Sequence, residues 1–230
     1  AIPNRNIKCN LKAYQFANFI SVASQHVKES FLLHQYPENR IFVNPYGVDL
    51  SMFKPLPNIP KKYDVIMVGG WGYEKGCDLI VEAIRKTNYS FIHVGSIKDV
   101  DFPQEKNFTH IDPVDQSKLI EYYNQAKVFI LPSRQDGFGM VLSQALACNL
   151  PIIGSNNCGA PDLKKMVELP EYITIIKDYT ADAIVTAIHT AIKNYEQLGE
   201  RIYAGNAIEN LTWEAYGKRY ANFLHKIIKQ

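Results

Sequence analysis

The stretch YDVIMVGGWGYEKGCDLIVEAIRK, residues 63–86, runs from an apolar segment through Gly69, Gly70 and Gly72 into a helical pattern. The apolar segment, 63–70, is continuous rather than alternating, as expected of a strand covered on both faces. The helix is predicted over 75–86. The same alternation continues downstream. Strands are predicted over 89–95, 108–113, 127–133, 151–155 and 172–177. Helices are predicted over 116–126 and 139–148, with a short one near 162–167. The tail segments TADAIVTAIHTAIKNY and TWEAYGKRYANFLHKII are helical. Strands alternating with helices predict an α/β fold, a parallel sheet with helices on both faces. Open sheets of this kind bind ligands beyond the C-terminal ends of their strands. The loops at 69–75, 95–99, 132–139 and 155–162 are therefore the ones to search.

Upstream, residues 17–24 (ANFISVAS) read as a short strand. Residues 25–36 follow as a helix with Val27, Phe31 and Leu32 on one face, and 40–43 form a second short strand. Three prolines between residues 55 and 60 mark a rigid, exposed linker and a domain boundary. The chain has 230 residues, enough for one large domain, or for one domain of about 150 plus a remnant. Composition is that of an ordinary globular protein, 47% hydrophobic and 21% charged, which excludes extended disorder and collagen. No apolar run approaches the roughly 18 residues of a spanning helix. The net charge of +2 is spread without a basic block, so no nucleic-acid partner is expected. Cys9, Cys77, Cys148 and Cys158 lack zinc or redox-dithiol spacing and read as free thiols. The chain opens at Ala1, and the expectation is of a natural chain that begins upstream.

Glycines 69, 70 and 72 let backbone amides approach a phosphate at a helix start, and Lys75 there would welcome an anion. A plain tight turn with a solvated lysine is the competing explanation. The segment PSRQDGFGMVLSQALA, 132–147, is richer. Gly137 and Gly139 free the backbone beside a helix N-terminus, where the amides of Phe138 to Met140 form an anion site. Asp136 can accept from neutral hydroxyls, or simply cap the helix. Gln144, two turns on, falls on nearly the same face, roughly 12 Å away, or is an ordinary surface amide. Asp162 is expected to cap the short helix. Asp99 and Asp101 have Asp-x-Asp spacing, a weak metal signal, and no metal is assigned. The six histidines form no ligand cluster, and His93 is expected to pack inside its strand.

These loops together resemble the C-terminal half of a retaining family 4 glycosyltransferase (glycosyl transferases group 1), a group with two Rossmann-like domains in the GT-B architecture. YGVDLSMFKP (46–55) resembles the family's linker motif. VGGWGYEKG (68–76) resembles its glycine-rich loop, residues 132–162 its E-x7-E segment, and 213–220 its final aromatic helix. The resemblance implies a Rossmann-like parallel sheet and transfer of a sugar from a nucleotide-diphosphate donor, UDP or GDP type, to an acceptor hydroxyl with retention. No prosthetic group or metal is implied. Asp136 matches the acid that contacts the donor sugar, and Gln144 the acid that binds ribose hydroxyls. Amides around Gly137, Phe138 and Gly139 would hold sugar and diphosphate, with Gly69, Gly70 and Met140 also among the donor-binding residues, and Lys75 would neutralise the leaving group. Asp136 and Lys75 are the implied catalytic pair.

Three departures stand out. Gly70 replaces an arginine, a loss worth about 1.5–3 kcal/mol of phosphate interaction. Arg134 is the candidate to reach the same phosphate, and Trp71 either stacks on the base or packs. Asp136 and Gln144 replace glutamates.

The resemblance divides the chain into an N-terminal-domain remnant (1–54), a linker (55–62), a donor domain (63–210) and a returning helix (211–230). Most of the N-terminal domain is absent, so Tyr216, Tyr220 and Phe223 are expected to lack some packing partners and the fragment alone to be inactive. The expected partners are the donor, a glycan, lipid-linked or small-molecule acceptor, and the missing domain. The implied location is cytoplasmic, with the full-length parent peripheral on the inner membrane face. Two alternatives stay open: a catalytically degenerate nucleotide-sugar or glycan-binding partner, and a relative with phosphorylase or epimerase chemistry.

Overall fold

A computed structural model describes residues 4–198 and 205–229. Six strands form one parallel sheet in the order β5-β4-β3-β6-β7-β8. They are β3 (Tyr63–Val68), β4 (Phe91–Val94), β5 (Phe108–Ile111), β6 (Ala126–Leu131), β7 (Ile152–Ser155) and β8 (Ile173–Ile176). The continuous apolar runs are explained by burial: β4 and β7 are buried at every position, and β6 at all but Lys127. Edge strand β5 is only half-buried throughout. Each strand is one to three residues shorter than predicted; Gly69, Gly70, Gly95, Pro113, Pro132 and Pro151 are among the end residues left outside.

The helices α3 (Cys77–Lys86), α4 (Leu119–Gln125), α5 (Met140–Ala147), α6 (Ala160–Lys164) and α7 (Ala181–Leu198) join or flank these strands. α3 buries Leu79, Ile80, Ala83 and Ile84, while Glu82, Arg85 and Lys86 face out, a stripe that repeats every three to four residues. α3 packs against α7, whose Ile184, Ala187, Ile188 and Ala191 are buried in turn. Each buried leucine or isoleucine among these contributes about 1.5–3 kcal/mol. α5 ends at Asn149, which has φ +63°, the left-handed conformation that asparagine tolerates.

The N-terminal part differs from the prediction in one respect. No element was expected before residue 17, yet α1 spans Asn4–Phe16. Its sequence is polar, and within residues 9–16 only Tyr14 is even half-buried, edge-on to Phe31. Ile7, Leu11 and Tyr14 do recur at helical spacing, a short signal diluted by the polar residues between them. β1 (Ile20–Val22), α2 (Gln25–Leu33) and β2 (Ile41–Val43) follow, with β1 and β2 paired in parallel. α8 (Trp213–Ile228) lies against this pair. Phe223 stacks on Phe42 at 4.1 Å and meets Phe19 edge-on, and Tyr220 meets Phe42. Tyr216 lies against Tyr46. These residues thus have aromatic partners within the chain, although no residue of α8 is fully buried. Arg219 fastens the helix to the β2 exit, donating to the Asn44 side chain (2.7 Å) and the Pro45 carbonyl (2.8 Å).

The ends of β3 and β4 come close together. Gly95 has φ +150°, and a Cβ there would run into the Gly69 carbonyl. Both conditions exclude a side chain. Gly95→Ala is expected to lower stability by at least about 2 kcal/mol in urea denaturation.

Candidate functional site

The loop after β3 is stitched to the loop after β4. Trp71 N–H donates to Ser96 O (2.7 Å), Lys98 N–H to Trp71 O (2.9 Å) and Tyr73 N–H to Asp99 Oδ1 (2.8 Å). On its other side it is stitched to the loop after β6: Arg134 N–H donates to Glu74 O (2.8 Å). That loop is held in turn from the β7 side, with Asp136 N–H on Asn157 O (2.9 Å) and Gly159 N–H on Phe138 O (2.7 Å). Four strand-end loops thus form one continuous rim.

Lys75 and Asp136, 61 positions apart, meet on this rim with Nζ 2.6 Å from Oδ2. Their side chains are only 21% and 16% exposed, so the pair is partly desolvated. The other Asp136 oxygen accepts from Phe138 N–H at 3.2 Å, the local turn expected of a cap. The N–H groups of Gly137, Gly139 and Met140 have no acceptor among the described residues, and Met140 opens α5. These amides and the helix start favour negative charge. Phe138, expected to offer its amide, does not: its N–H is held by Asp136, its carbonyl by Gly159 N–H, and its ring is buried against Tyr46.

Some expected residues stand elsewhere. The indole of Trp71 is fully buried among His93, Phe102 and Phe108, so it packs and presents no face to a base. Arg134 does not face open space. Its guanidinium forks onto Asp78 (2.6 and 2.8 Å), donates to Tyr73 O, and lies 3.7 Å over the Tyr73 ring. Contact with a phosphate would require it to leave a bidentate partner. Gly70 leaves space that the methylenes of Lys98 fill. Gln144 is no surface amide: it is 6% exposed, and its Oε1 accepts from the buried Tyr123 hydroxyl at 2.9 Å. It lines a cavity of about 180 Å³ with Asp49, Gln116 and Trp213. Asp136 lines a different one, of about 580 Å³, with Tyr14, His26 and Phe31. Asp162 lies inside α6 rather than before it. Both its oxygens accept from Gln25 N–H at 3.2 Å, and burial pushes its carboxyl above the ordinary range. Asp99 is committed to Tyr73, and no group of three or more potential metal ligands occurs among the described residues.

Several contributors carried no sequence signal. Ser24 caps α2 and also donates to Gly137 O at 2.6 Å, across 113 positions. Tyr123 and Asp78 likewise matter only through partners that the fold brings to them. His93, expected to pack, is fully buried and does so.

A parallel α/β sheet with glycine-rich, amide-presenting loops at its C-terminal edge defines a nucleotide-type binding domain. A family model, Glycosyl transferases group 1, matches residues 50–207, and the chain belongs to that family. It is 26% identical over 242 residues to a probable sucrose-phosphate synthase of Thermosipho melanesiensis, covering 93% of this chain and 56% of that protein. It is 23% identical to a GDP-mannose-dependent phosphatidylinositol monomannoside mannosyltransferase of Mycolicibacterium smegmatis, covering 90% and 62%. The chain thus spans little more than half of these relatives. Among solved structures, HepE of Anabaena in complex with UDP superposes with a TM-score of 0.78 at 17% identity, covering 98% of this chain and 68% of that one. A Thermosynechococcus elongatus sucrose-phosphate synthase gives 0.72 at 18%, covering 100% and 64%. The fold is that of a GT-B Rossmann-like domain. No described helix is long and apolar enough to cross a membrane.

Burial pulls the His93 imidazole down to about 4. Between that value and the ordinary 6.5, the unfolded chain binds more protons than the folded one, so stability rises with pH across this window and is lost below it. Wild type is expected to lose about 1–2 kcal/mol between roughly pH 6.5 and 5, and His93→Leu to lose measurably less, by urea denaturation at each pH.

Proposed function

We propose that this chain is the donor-binding part of a retaining glycosyltransferase that moves a sugar from a nucleotide diphosphate to an acceptor hydroxyl. The observation that carries the reading is the Lys75–Asp136 contact beside the free amides of Gly137, Gly139 and Met140. A diphosphate entering there would be held by those amides and by Lys75, whose ammonium would part from Asp136 to meet it. Asp136, released, would accept from a donor-sugar hydroxyl. As the bond to the leaving phosphate lengthens, charge accumulates on its oxygens, and a fixed cation and amides stabilise that charge more than they stabilise the ground state. Arg134 would act through Tyr73 and Asp78, holding the Lys75 loop in place.

Residues 1–54 are proposed as a remnant of the N-terminal domain, 55–62 as linker and 63–210 as the donor domain. The helix at 211–230 would return to the N-terminal side, and the acceptor site would be completed by a domain outside this chain. GDP- and UDP-linked sugars are the proposed donor classes, with no metal in the reaction and a cytoplasmic or peripheral inner-membrane setting.

One observation favours a second reading. The amide oxygen of Gln144 is occupied by Tyr123, where a ribose hydroxyl would need an acceptor. A chain with weakened ribose contact fits a nucleotide-sugar-binding partner without catalysis.

Calorimetric titration with UDP, GDP and ADP in EDTA tests the donor site. One nucleotide is expected to bind at micromolar to sub-millimolar Kd, weakened about tenfold or more by Lys75→Ala. No binding by any of the three refutes the donor reading for this chain. Nucleotide-sugar-dependent transfer by the full-length protein separates the transferase from the silent partner.

A further inference from the structure

Behind the glycine-rich loop lies a chain of hydrogen bonds that the proposed chemistry does not use. His93 Nε2 is 2.8 Å from the Gly69 carbonyl oxygen, and its Nδ1 is 3.0 Å from His110 Nδ1. The rings are stacked, with centroids 5.1 Å apart. His110 Nε2 lies 3.3 Å from the exposed Asp112 carboxylate. The carbonyl is acceptor-only, so His93 Nε2 must carry a proton. Burial keeps His93 neutral at ordinary pH, which leaves a lone pair on its Nδ1. The proton between the rings therefore sits on His110 and is donated to His93. The two bonds to Gly69 run one way, from His110 Nδ1–H to His93 Nδ1 and from His93 Nε2–H to the carbonyl; a neutral His110 with its proton on Nδ1 donates nothing to Asp112. The rest of the His93 environment is aromatic, Trp71 at 4.9 Å and Phe102 at 5.8 Å. The titratable groups facing it are His110 and, beyond that ring, Asp112.

The consequence lies on the other side of the Gly69–Gly70 peptide. In a planar trans peptide the C=O and the N–H point in opposite directions. Gly69 O is turned toward β4, where His93 and Gly95 meet it. Gly70 N–H is therefore turned away from β4, toward the β6 side where the loop bearing Asp136 begins. That N–H has no acceptor among the described residues. Gly69 has φ +129°, a conformation with few alternatives open to other residues and many open to glycine, so something must select it. The Lys98 side chain, which fills the space over Gly70, adds a cation beside this amide.

We propose that His93 is a positioning residue of the donor site: by holding the Gly69 carbonyl inward, it presents the Gly70 N–H outward to a phosphate of the nucleotide. The inference rests on the donor-site reading above and assigns that site one more phosphate donor, an amide set by a buried histidine. His110 serves by supplying the proton that fixes the His93 tautomer.

The test combines nitrogen-15 NMR of labelled histidines with titrations of UDP, GDP and ADP. Wild-type His93 is expected as the Nε2–H tautomer at about pH 7, and the Gly70 amide resonance should shift on nucleotide addition. His93→Leu should weaken binding about tenfold or more, while His93→Gln, whose amide can still donate to Gly69 O, should stay within about threefold of wild type. A role limited to stability would lower the melting temperature of both variants without this split in affinity. An Nδ1–H tautomer for His93, or His93→Leu binding as tightly as wild type, overturns the inference while leaving the donor reading intact. Wild type that binds none of the three nucleotides overturns the donor reading, and with it the purpose assigned to the amide, even where the tautomer is as expected.

Discussion

The close fit of Gly95 against the Gly69 carbonyl decides what the rest of the rim can be. A side chain at Gly95 would separate the chains leaving β3 and β4, and Gly69, with φ +129°, holds a conformation that favours glycine. With no side chain at either, the two loops pair for several residues past the ends of their strands. The β3 loop is then close enough to the β6 loop for Arg134 N–H to reach Glu74 O, and for Lys75 to reach Asp136. The ion pair is therefore downstream of a steric condition, and two amino acids without side chains set the position of two that carry charge.

Much of the sheet was legible because parallel strands buried on both faces leave long apolar runs. Runs such as VIMV in β3 and VFIL in β6 admit little else. Glycines such as Gly69 and Gly139 were legible because positive-φ backbone restricts residue type. The side that Trp71 and Gln144 face was left open for the opposite reason. A large aromatic after a glycine pair, or an amide on a helix, has no local mark of which side it faces. That is settled by Phe102 and Phe108 in one case and by Tyr123 in the other. Arg134 was assigned to a phosphate by proximity, and Asp78, one turn into α3, claims it instead. α1 was missed because its helical spacing, Ile7, Leu11 and Tyr14, is diluted among polar residues.

Two of the rim's cations are matched by carboxylates, Lys75 with Asp136 and Arg134 with Asp78, while Lys98, which lies over Gly70, has no ion pair among the described residues. An anion that meets Lys75 must displace Asp136 from it. The free amides of the β6 loop face no such competition. Half-burial makes the competition consequential, since both ions of the Lys75 pair are shielded from most of the water that would otherwise screen them.

The Arg219 clasp has a mechanical meaning. The chain passes between the β1–β2 side and the large sheet once after β2 and again before α8, and Arg219 grips Asn44 and Pro45 on the first passage from within α8. Two passages of chain pinned to one another close a cross-link, so the β1–β2 side is tied to the large sheet at the clasp and again on the rim, where Ser24 donates to the Gly137 carbonyl.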